Sequence, residues 1–595
     1  MNLNATLNQK LDFITPGLSV RGTVAYASTY SYNRDMNRQT NDYPQFIYNP
    51  DTKVYTPKDA NLYRVRRFFL VYNAGNTGRT VNLQGILSYN RTFGDHHVYG
   101  LALVNQNTVI KYEDNGLTNY IPSNFRGYSG RIGYDFRQKY LVEFNAGYNG
   151  SERFIGSKRF GLFPAVSAGW NISEEGFFRN NIKFIDRFKI RGSYGLVGSD
   201  QLPNGMKYSY EQYYNSGGGT SFGTADNGQT IITEGTLANP VVTWEKEKKL
   251  DIGVDLTLFN SKLTLTADYF DHNRYDILTT RGTVSAIFGQ TLPPVNLGKV
   301  NNHGFEIDMT WKDNVGKDFN YWVRANYSLA RNKIIFFDEP KAAYPWMQAT
   351  GNSVGMIMVY RWIGFYESEE DIDKSAKFGS RPKVGDLKYA DLNGDGILDG
   401  YDQEYAGFPN LPNTNVGFSF GASYKNFSFS VLFQGAFNFN VRGVAEAIQA
   451  FGSNMQPLHQ EYWTPERGNA ARYPRLSLQA GTNEPRAYPS TFWFIKGDYI
   501  RMRNAEIGYA LPAKWTKRWA SPTAVYTSMA ITFSPGPKYR IATSSTPRSI
   551  PAMTGATIRR NASSTSALRP PFNDKSNDHE TYSYHTHFPA VAGCL

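Results

Sequence analysis

Two neighbouring stretches decide the fold: RIGYDF at residues 131–136 and YLVEFNAGY at residues 140–148. In each stretch large apolar residues occupy every second position, and mostly small or polar residues stand between them. Since successive side chains of a β-strand point to opposite faces, this spacing gives each strand one apolar and one polar face. The short segment between the stretches suits a tight turn, so together they predict a β-hairpin.

The same alternation recurs along most of the chain. It predicts further strands at residues 18–26, 81–89, 99–103, 188–196, 250–259, 263–270, 305–311, 321–329, 416–424, 427–433 and 499–511. Convincing helical patterns are absent. The 41 Tyr, 39 Phe and 54 Gly residues favour β-strands joined by turns, and a single Cys, Cys594, excludes internal disulfides. The sequence therefore predicts an all-β protein.

Two architectures accommodate such strands, a soluble sandwich and a transmembrane barrel. In a sandwich the apolar face meets a second sheet, whereas in a barrel it meets lipid and the polar face lines the lumen. The alternation persists over about ten residues, the length of a tilted strand that crosses a bilayer. Aromatic residues stand at strand ends, and short turns alternate with long polar segments such as residues 198–243 and 336–413. These features favour an antiparallel transmembrane β-barrel with long extracellular loops.

Charge and hydropathy exclude other classes. The net charge of +12 is spread along the chain without a basic run or basic helix, which argues against nucleic-acid binding. No apolar run reaches the roughly 18 residues of a membrane-spanning helix. The first residues also lack the apolar core of a secretory signal.

Six strings, in order along the chain, resemble the SusC/RagA group of TonB-dependent outer-membrane proteins. They are RFGLFPAVSAGW at 159–170, KIRGSYG at 189–195, WE at 244–245 followed by DIGVD at 251–255, NLGKVNNHGFE at 296–306, GDLKYADLNGDG at 385–396, and YIRMRNAEIGY at 499–509. Each string is weak evidence alone. Their shared order makes the resemblance specific.

The resemblance implies a barrel of about 22 strands with a plugged lumen, located in the cell outer membrane. It implies uptake of glycans or oligopeptides, a SusD-like surface lipoprotein as partner, and energy from TonB–ExbB–ExbD through an N-terminal part. No counterpart of the family's plug and first strands is found here. We therefore expect residues 1–526 to be an incomplete barrel, a fragment that does not transport by itself and is not an enzyme.

An Asp-rich stretch at residues 391–402 has the spacing of a calcium-binding loop. Asp391, Asn393, Asp395, Asp399 and Asp402 stand at loop positions one, three, five, nine and twelve, and Gly394 and Gly396 supply the turns. Ile397 would offer its backbone carbonyl at position seven. The last ligand is Asp where an EF-hand has Glu, and a solvated Asx-rich turn explains the same residues. We predict a structural calcium site whose carboxylates converge.

Other motifs carry less weight. Gly-x-Ser-x-Gly occurs at residues 351–355 and 417–421 without the following helix that a nucleophile elbow needs. His96 and His97 lie in a predicted turn without further metal ligands nearby. Two alternative functions stay open: a siderophore or cobalamin receptor of the wider TonB-dependent class, and a secreted β-rich glycan-binding adhesin.

The alternation stops near Tyr526. Residues 527–595 are rich in Ser, Thr, Pro and Arg, as in SSTPR at 544–548. Such a composition is typical of a disordered tail. A second interpretation follows from back-translation, because residues 527–540 permit codons whose frame, begun at each third base, reads VNGNNLFTWSKVS. Residues 541–548 continue that frame as DSNKLDPE, and residues 553–573 as DGRYYPPQRVFNFGFTATF followed by a stop.

We predict that residues 527–595 are a frameshifted translation that replaces the closing strands of the barrel. An edge strand left unpaired in a bilayer exposes backbone groups that lipid cannot satisfy, so the product is expected to fail assembly. The nucleotide sequence of the gene is the measurement. If the second frame does not encode those three strings, the prediction is wrong.

Overall fold

The computed structural model describes residues 1–37, 46–57, 68–112, 121–203, 207–222, 227–443, 448–451, 455–478, 481–510, 526–532 and 557–560. The chain divides into two compact units. The first comprises Met1–Tyr134 with Phe144–Pro164, and the second comprises Asp135–Glu143 with Ala165–Leu595.

The N-terminal third of the chain contains eight strands. They are β1 (Asn2–Lys10), β2 (Leu18–Asn37), β3 (Phe46–Asn49), β4 (Val54–Pro57), β5 (Phe69–Phe93), β6 (His96–Tyr112), β7 (Ser123–Phe136) and β8 (Tyr140–Ser151). Within the first unit β2 pairs with β1 and β5, β5 pairs with β6, and β3 pairs with β4, all antiparallel. The predicted hairpin at residues 131–148 is formed by β7 and β8.

Longer strands build most of the second unit. They are β9 (Phe160–Asn171), β10 (Ile185–Ser199), β13 (Glu245–Leu258), β14 (Leu263–Thr279), β15 (Val295–Val315), β16 (Phe319–Phe336), β21 (Thr414–Tyr424), β22 (Phe427–Phe437) and β25 (Tyr499–Ala510). Each pairs with the next in this order, antiparallel throughout.

Shorter elements lie between these strands. They are β11 (Tyr214–Phe222), β12 (Asn227–Glu234), β17 (Ile357–Tyr360), β18 (Trp362–Phe365), β19 (Leu387–Tyr389), β20 (Gln403–Ala406), β23 (Asn440–Arg442) and β24 (Phe494–Lys496). The helices of the described residues are α1 (Gly176–Asn181) and α2 (Glu369–Lys374). No helix in the described ranges is long and apolar enough to cross a membrane.

Strand register separates two faces in the second unit. Ile190, Val254, Ala267, Ile307, Tyr327 and Val416 are successive cross-strand partners, and form one apolar row. One residue along each strand, the partners are Arg191, Gly253, Asp268, Glu306, Ser328 and Asn415, a polar row. Because strand side chains have a period of two, the alternation of the sequence is converted into an apolar face and a polar face.

The apolar face is exposed, as lipid contact requires. Ile132, Tyr134, Val142 and Phe144 are exposed, and Phe136 is half-buried. In a soluble sandwich these side chains would form the closed core. Their exposure therefore favours the barrel over the sandwich.

Several predictions of strand length are too short. Residues 305–311 were expected as one strand, yet β15 runs from Val295 to Val315. The added residues are polar on both faces, so they lack the apolar signal but still pair with their neighbours. Extension beyond the bilayer needs only backbone hydrogen bonds, which the side-chain pattern does not record.

The Ser- and Thr-rich segment after Tyr526 falls largely outside the described residues. Two stretches of it are described as strands, β26 (Tyr526–Thr532) and β27 (Thr557–Arg560). β26 pairs with β25 and with β27, both antiparallel. These pairings do not bear on the reading frame, so the frameshift stays a prediction.

Candidate functional site

The Asp-rich loop at residues 391–402 is closed by hydrogen bonds to its own backbone. Asp391 accepts from the N–H groups of Gly394 at 2.7 Å and Gly396 at 2.8 Å. Both glycines have positive φ, of 77° and 82°, which most side chains rarely adopt. The predicted turn glycines are therefore confirmed as turn residues.

The C-terminal half of the loop is anchored by a fully buried carboxylate. Asp402 accepts from the backbone of Leu392 at 2.8 Å and Asp399 at 2.9 Å. Asp399 in turn accepts from the N–H of Tyr401 at 2.7 Å. Asp402 thereby ties the two ends of the loop together.

Asn393 and Asp395 are joined by a side-chain hydrogen bond of 2.9 Å, and Asp395 also accepts from the N–H of Ile397 at 2.8 Å. The described part of the chain contains no group of three or more His, Cys, Asp or Glu side chains placed to hold a metal ion. As arranged, the loop satisfies its oxygens by capping its own backbone. The calcium site stays a prediction.

A compact hydrophobic core lies among the long segments that connect the strands of the second unit. We call it the loop core; its buried members are Tyr360, Phe365, Leu387, Tyr389, Leu398, Ile448, Ala450, Trp463, Ala471, Tyr473 and Trp493. Burial raises the pKa of the Tyr366 hydroxyl to about 12. The pattern of residues 336–413 predicted a polar loop, and the structure shows a folded one.

Three polar side chains from distant segments meet beside the loop core. Asp386 is buried and lies 2.6 Å from Nε of Arg475. It also accepts from the side-chain amide of Asn483 at 2.7 Å and from the N–H of Lys383 at 2.8 Å. The Asn483 carbonyl oxygen accepts from the N–H of Leu387 at 2.8 Å. This polar cluster was not found from the sequence, because its members are about 100 residues apart.

The polar face of the strands carries a charged network. The Arg191 guanidinium contacts Asp268 at 2.7 Å, Asp255 at 3.2 Å and Asp251 at 3.4 Å. A Cβ on Gly253 would overlap this network, so glycine makes room for the guanidinium. In a barrel this face lines the lumen.

The structure places the weaker motifs in ordinary roles. Ser353 donates its hydroxyl to the Asn332 carbonyl at 2.9 Å, and Ser419 lies within strand β21. His96 contacts the Tyr134 hydroxyl at 2.7 Å, and His97 contacts Asn90 at 3.0 Å. Neither arrangement is that of an activated nucleophile or a histidine metal site.

Comparisons with known proteins agree with this geometry. Residues 2–516 match the family model described as TonB dependent receptor-like, beta-barrel. TonB-dependent receptor P26 of Formosa agariphila is 27% identical over 480 residues, which cover 73% of this chain and 47% of that protein. TonB-dependent receptor SusC of Bacteroides thetaiotaomicron is 24% identical over 408 residues, which cover 65% and 38%. The chain thus spans about half the length, or less, of these curated relatives.

Among solved structures, the RagAB peptide transporter matches with a TM-score of 0.64 at 16% identity, covering 89% of this chain and 57% of that chain. At this identity the match concerns the fold. The predicted resemblance to SusC and RagA is confirmed, and the family consists of receptors and transporters, not enzymes. The chain belongs to the TonB-dependent receptor-like β-barrel family, whose members are proteins of the bacterial outer membrane.

Proposed function

We propose that the chain is the barrel part of a transporter that takes up large nutrients, glycans or oligopeptides, with energy from TonB. The observation that carries the proposal is the loop core. It gives the long segments fixed positions beside a polar strand face, and a large ligand needs an extended, ordered surface. The names of two similar proteins, SusC and the RagAB peptide transporter, support the same class of cargo.

The partners follow from the same proposal. A SusD-like surface lipoprotein would bind at the long-loop end, and TonB–ExbB–ExbD would act through an N-terminal part of the whole protein. Outer-membrane lipid would surround the apolar face. The secreted adhesin loses its support because the family is one of outer-membrane proteins, while a siderophore or cobalamin receptor remains the second candidate.

Growth tests of the source bacterium separate the two candidates. Deletion of the gene, together with any upstream coding sequence in the same frame, is expected to abolish growth on one glycan or one peptide mixture as sole carbon source. Growth on free monosaccharides or amino acids is the control. A defect confined to iron-limited or cobalamin-limited medium would contradict the proposal and favour the second candidate.

We also propose that the Asp-rich loop binds calcium with a structural role. Its support is the oxygen spacing of Asp391, Asn393, Asp395, Asp399 and Asp402, with the Ile397 carbonyl as a further ligand. Binding requires Asp395 and Asp399 to exchange backbone hydrogen bonds for the cation.

Calorimetry on the detergent-purified chain tests the calcium proposal. Calcium is expected to bind at one site and to stabilise the loop core by about 2.7 kcal/mol at one hundred times the dissociation constant. Asp395→Asn should weaken this binding, whereas Asp373→Asn, on exposed helix α2, should not. Equal heats for both variants, or no calcium-dependent heat, would refute it.

A further inference from the structure

The connection between β9 and β10 has one buried and one exposed aromatic side. Helix α1 lies in this connection, where Phe178 is buried with its ring 5.8 Å from that of Phe188. Phe177 and Phe184 are 62% and 57% exposed. Two large apolar side chains therefore face away from the protein at the short-turn end of the strands.

This connection is attached to a pair of aromatic residues on the apolar face. The rings of Tyr140 and Trp170 stack with centroids 6.5 Å apart, and both side chains are exposed. Glu175 accepts from the Tyr140 hydroxyl at 2.6 Å and from the Trp170 indole N–H at 3.2 Å. These hydrogen bonds, from Tyr140 first and then Trp170, lower the pKa of the Glu175 carboxyl, which stays ionised beside Lys139. The carboxylate fixes the connection against the strand ends.

A second contact continues the aromatic surface to the next strands. The Phe184 ring stacks on Phe259 at 6.2 Å, and Phe259 lies 6.2 Å from Trp311. The N–H of Phe259 donates to the Phe184 carbonyl at 2.9 Å. Phe259 has a φ of 59°, a conformation rare for an aromatic residue. Trp311 pairs with Val323 on the apolar face, so the surface is continuous with the lipid-facing side of the strands.

The same connection presents positive charge. Arg179 is largely exposed and only 3.7 Å from Glu174, a weak surface ion pair, and Lys183 is exposed. Aromatic and aliphatic side chains beside Lys and Arg are the composition of segments that lie in the membrane interface. Short turns of outer-membrane barrels face the periplasm, where the leaflet consists of phospholipid.

We propose that the β9–β10 connection is a phospholipid-binding surface, in which Phe177 and Phe184 enter the headgroup region of the inner leaflet while Arg179 and Lys183 meet lipid phosphates. The proposal goes beyond nutrient uptake and does not depend on the cargo. Its argument is the continuity of these rings with the apolar face that already contacts lipid. A soluble periplasmic protein is the competing occupant.

Quenching by spin-labelled lipid tests the proposal on the full chain. Single cysteines, Phe177→Cys or Phe184→Cys, are introduced with Cys594→Ser and labelled with a small fluorophore. The chain is placed in nanodiscs of phosphatidylethanolamine and phosphatidylglycerol. Headgroup nitroxide is expected to quench both labels about twofold more than a label at Lys317→Cys, at the polar tip of another short turn.

Two further labels show that the strands are inserted. A label at Ile190→Cys, on the apolar face, should be quenched by acyl-chain nitroxide, and one at Ser193→Cys, on the polar face, should not. In such samples, Arg179→Gln with Lys183→Gln should reduce headgroup quenching in phosphatidylglycerol and leave it unchanged in phosphatidylcholine. Labels at 177 and 184 that are quenched no more than at 317, and stay open to a water-soluble quencher, would overturn the proposal and leave the surface to a protein partner.

Discussion

Asp386→Ala is expected to open the loop core while leaving the long strands paired. Asp386 is buried and is the carboxylate partner of Arg475. Removing one member of a buried ion pair leaves the other charge without compensation, which costs about 3–5 kcal/mol. The side chain of Asn483 and the N–H of Lys383 lose their acceptor as well. The loss is therefore larger than that of one surface contact.

Hydrogen exchange locates this effect. Amides of β19 and of residues 471–475 are expected to lose protection in Asp386→Ala, and amides of β14 and β15 to keep it. Asp373→Ala is the matched control, because Asp373 forms an exposed ion pair with Arg381 whose loss costs about 0–1 kcal/mol. Unchanged protection around β19 in Asp386→Ala would show that the cluster does not hold the loop core together.

Gly304→Ala is expected to disrupt the pairing of β15 with β16. A Cβ at Gly304 would overlap the Leu329 carbonyl oxygen and press on the Phe270 ring. The carbonyl belongs to the backbone of the neighbouring strand, so no side-chain rotation relieves the overlap. Overpacking of this kind costs about 1–3 kcal/mol and at times more. We expect a lower midpoint of urea unfolding in detergent.

Gly192→Ala provides the control within the same set of strands. Its Cβ would lie 3.7 Å from the Asp251 carbonyl, an ordinary contact. Alanine there reduces the conformational freedom of the unfolded chain, so stability should be equal or slightly higher. Equal unfolding midpoints for Gly304→Ala and Gly192→Ala would contradict the argument from strand spacing.

The strands could be predicted because their signal is local. Residues 131–148 contain the alternation that places Ile132, Val142 and Phe144 on one face, and the structure exposes all three. The register then repeats the same division across the paired strands of the second unit. Prediction of strand ends was poorer, since the outer parts of β15 and β16 are polar on both faces and pair through their backbones.

The loop core could not be predicted in the same way. Leu387, Trp463 and Trp493 come from segments that the sequence presents as polar connections. Their apolar residues follow no fixed period, because each was placed by a different turn or short strand. The polar cluster of Asp386, Arg475 and Asn483 depends on the same long-range packing.

The sequence by itself determined the all-β class, the two faces of the strands, the family resemblance and the spacing of the Asp-rich loop. These depend on residues near one another in the chain, where a period of two or a fixed loop spacing is directly legible. Only the tertiary structure decided that the loops share a core, that Asp386 meets Arg475, and that Glu175 joins Tyr140 to Trp170. The reason is that strand pairing brings distant segments together, and side-chain contacts between them leave no periodic trace in the sequence.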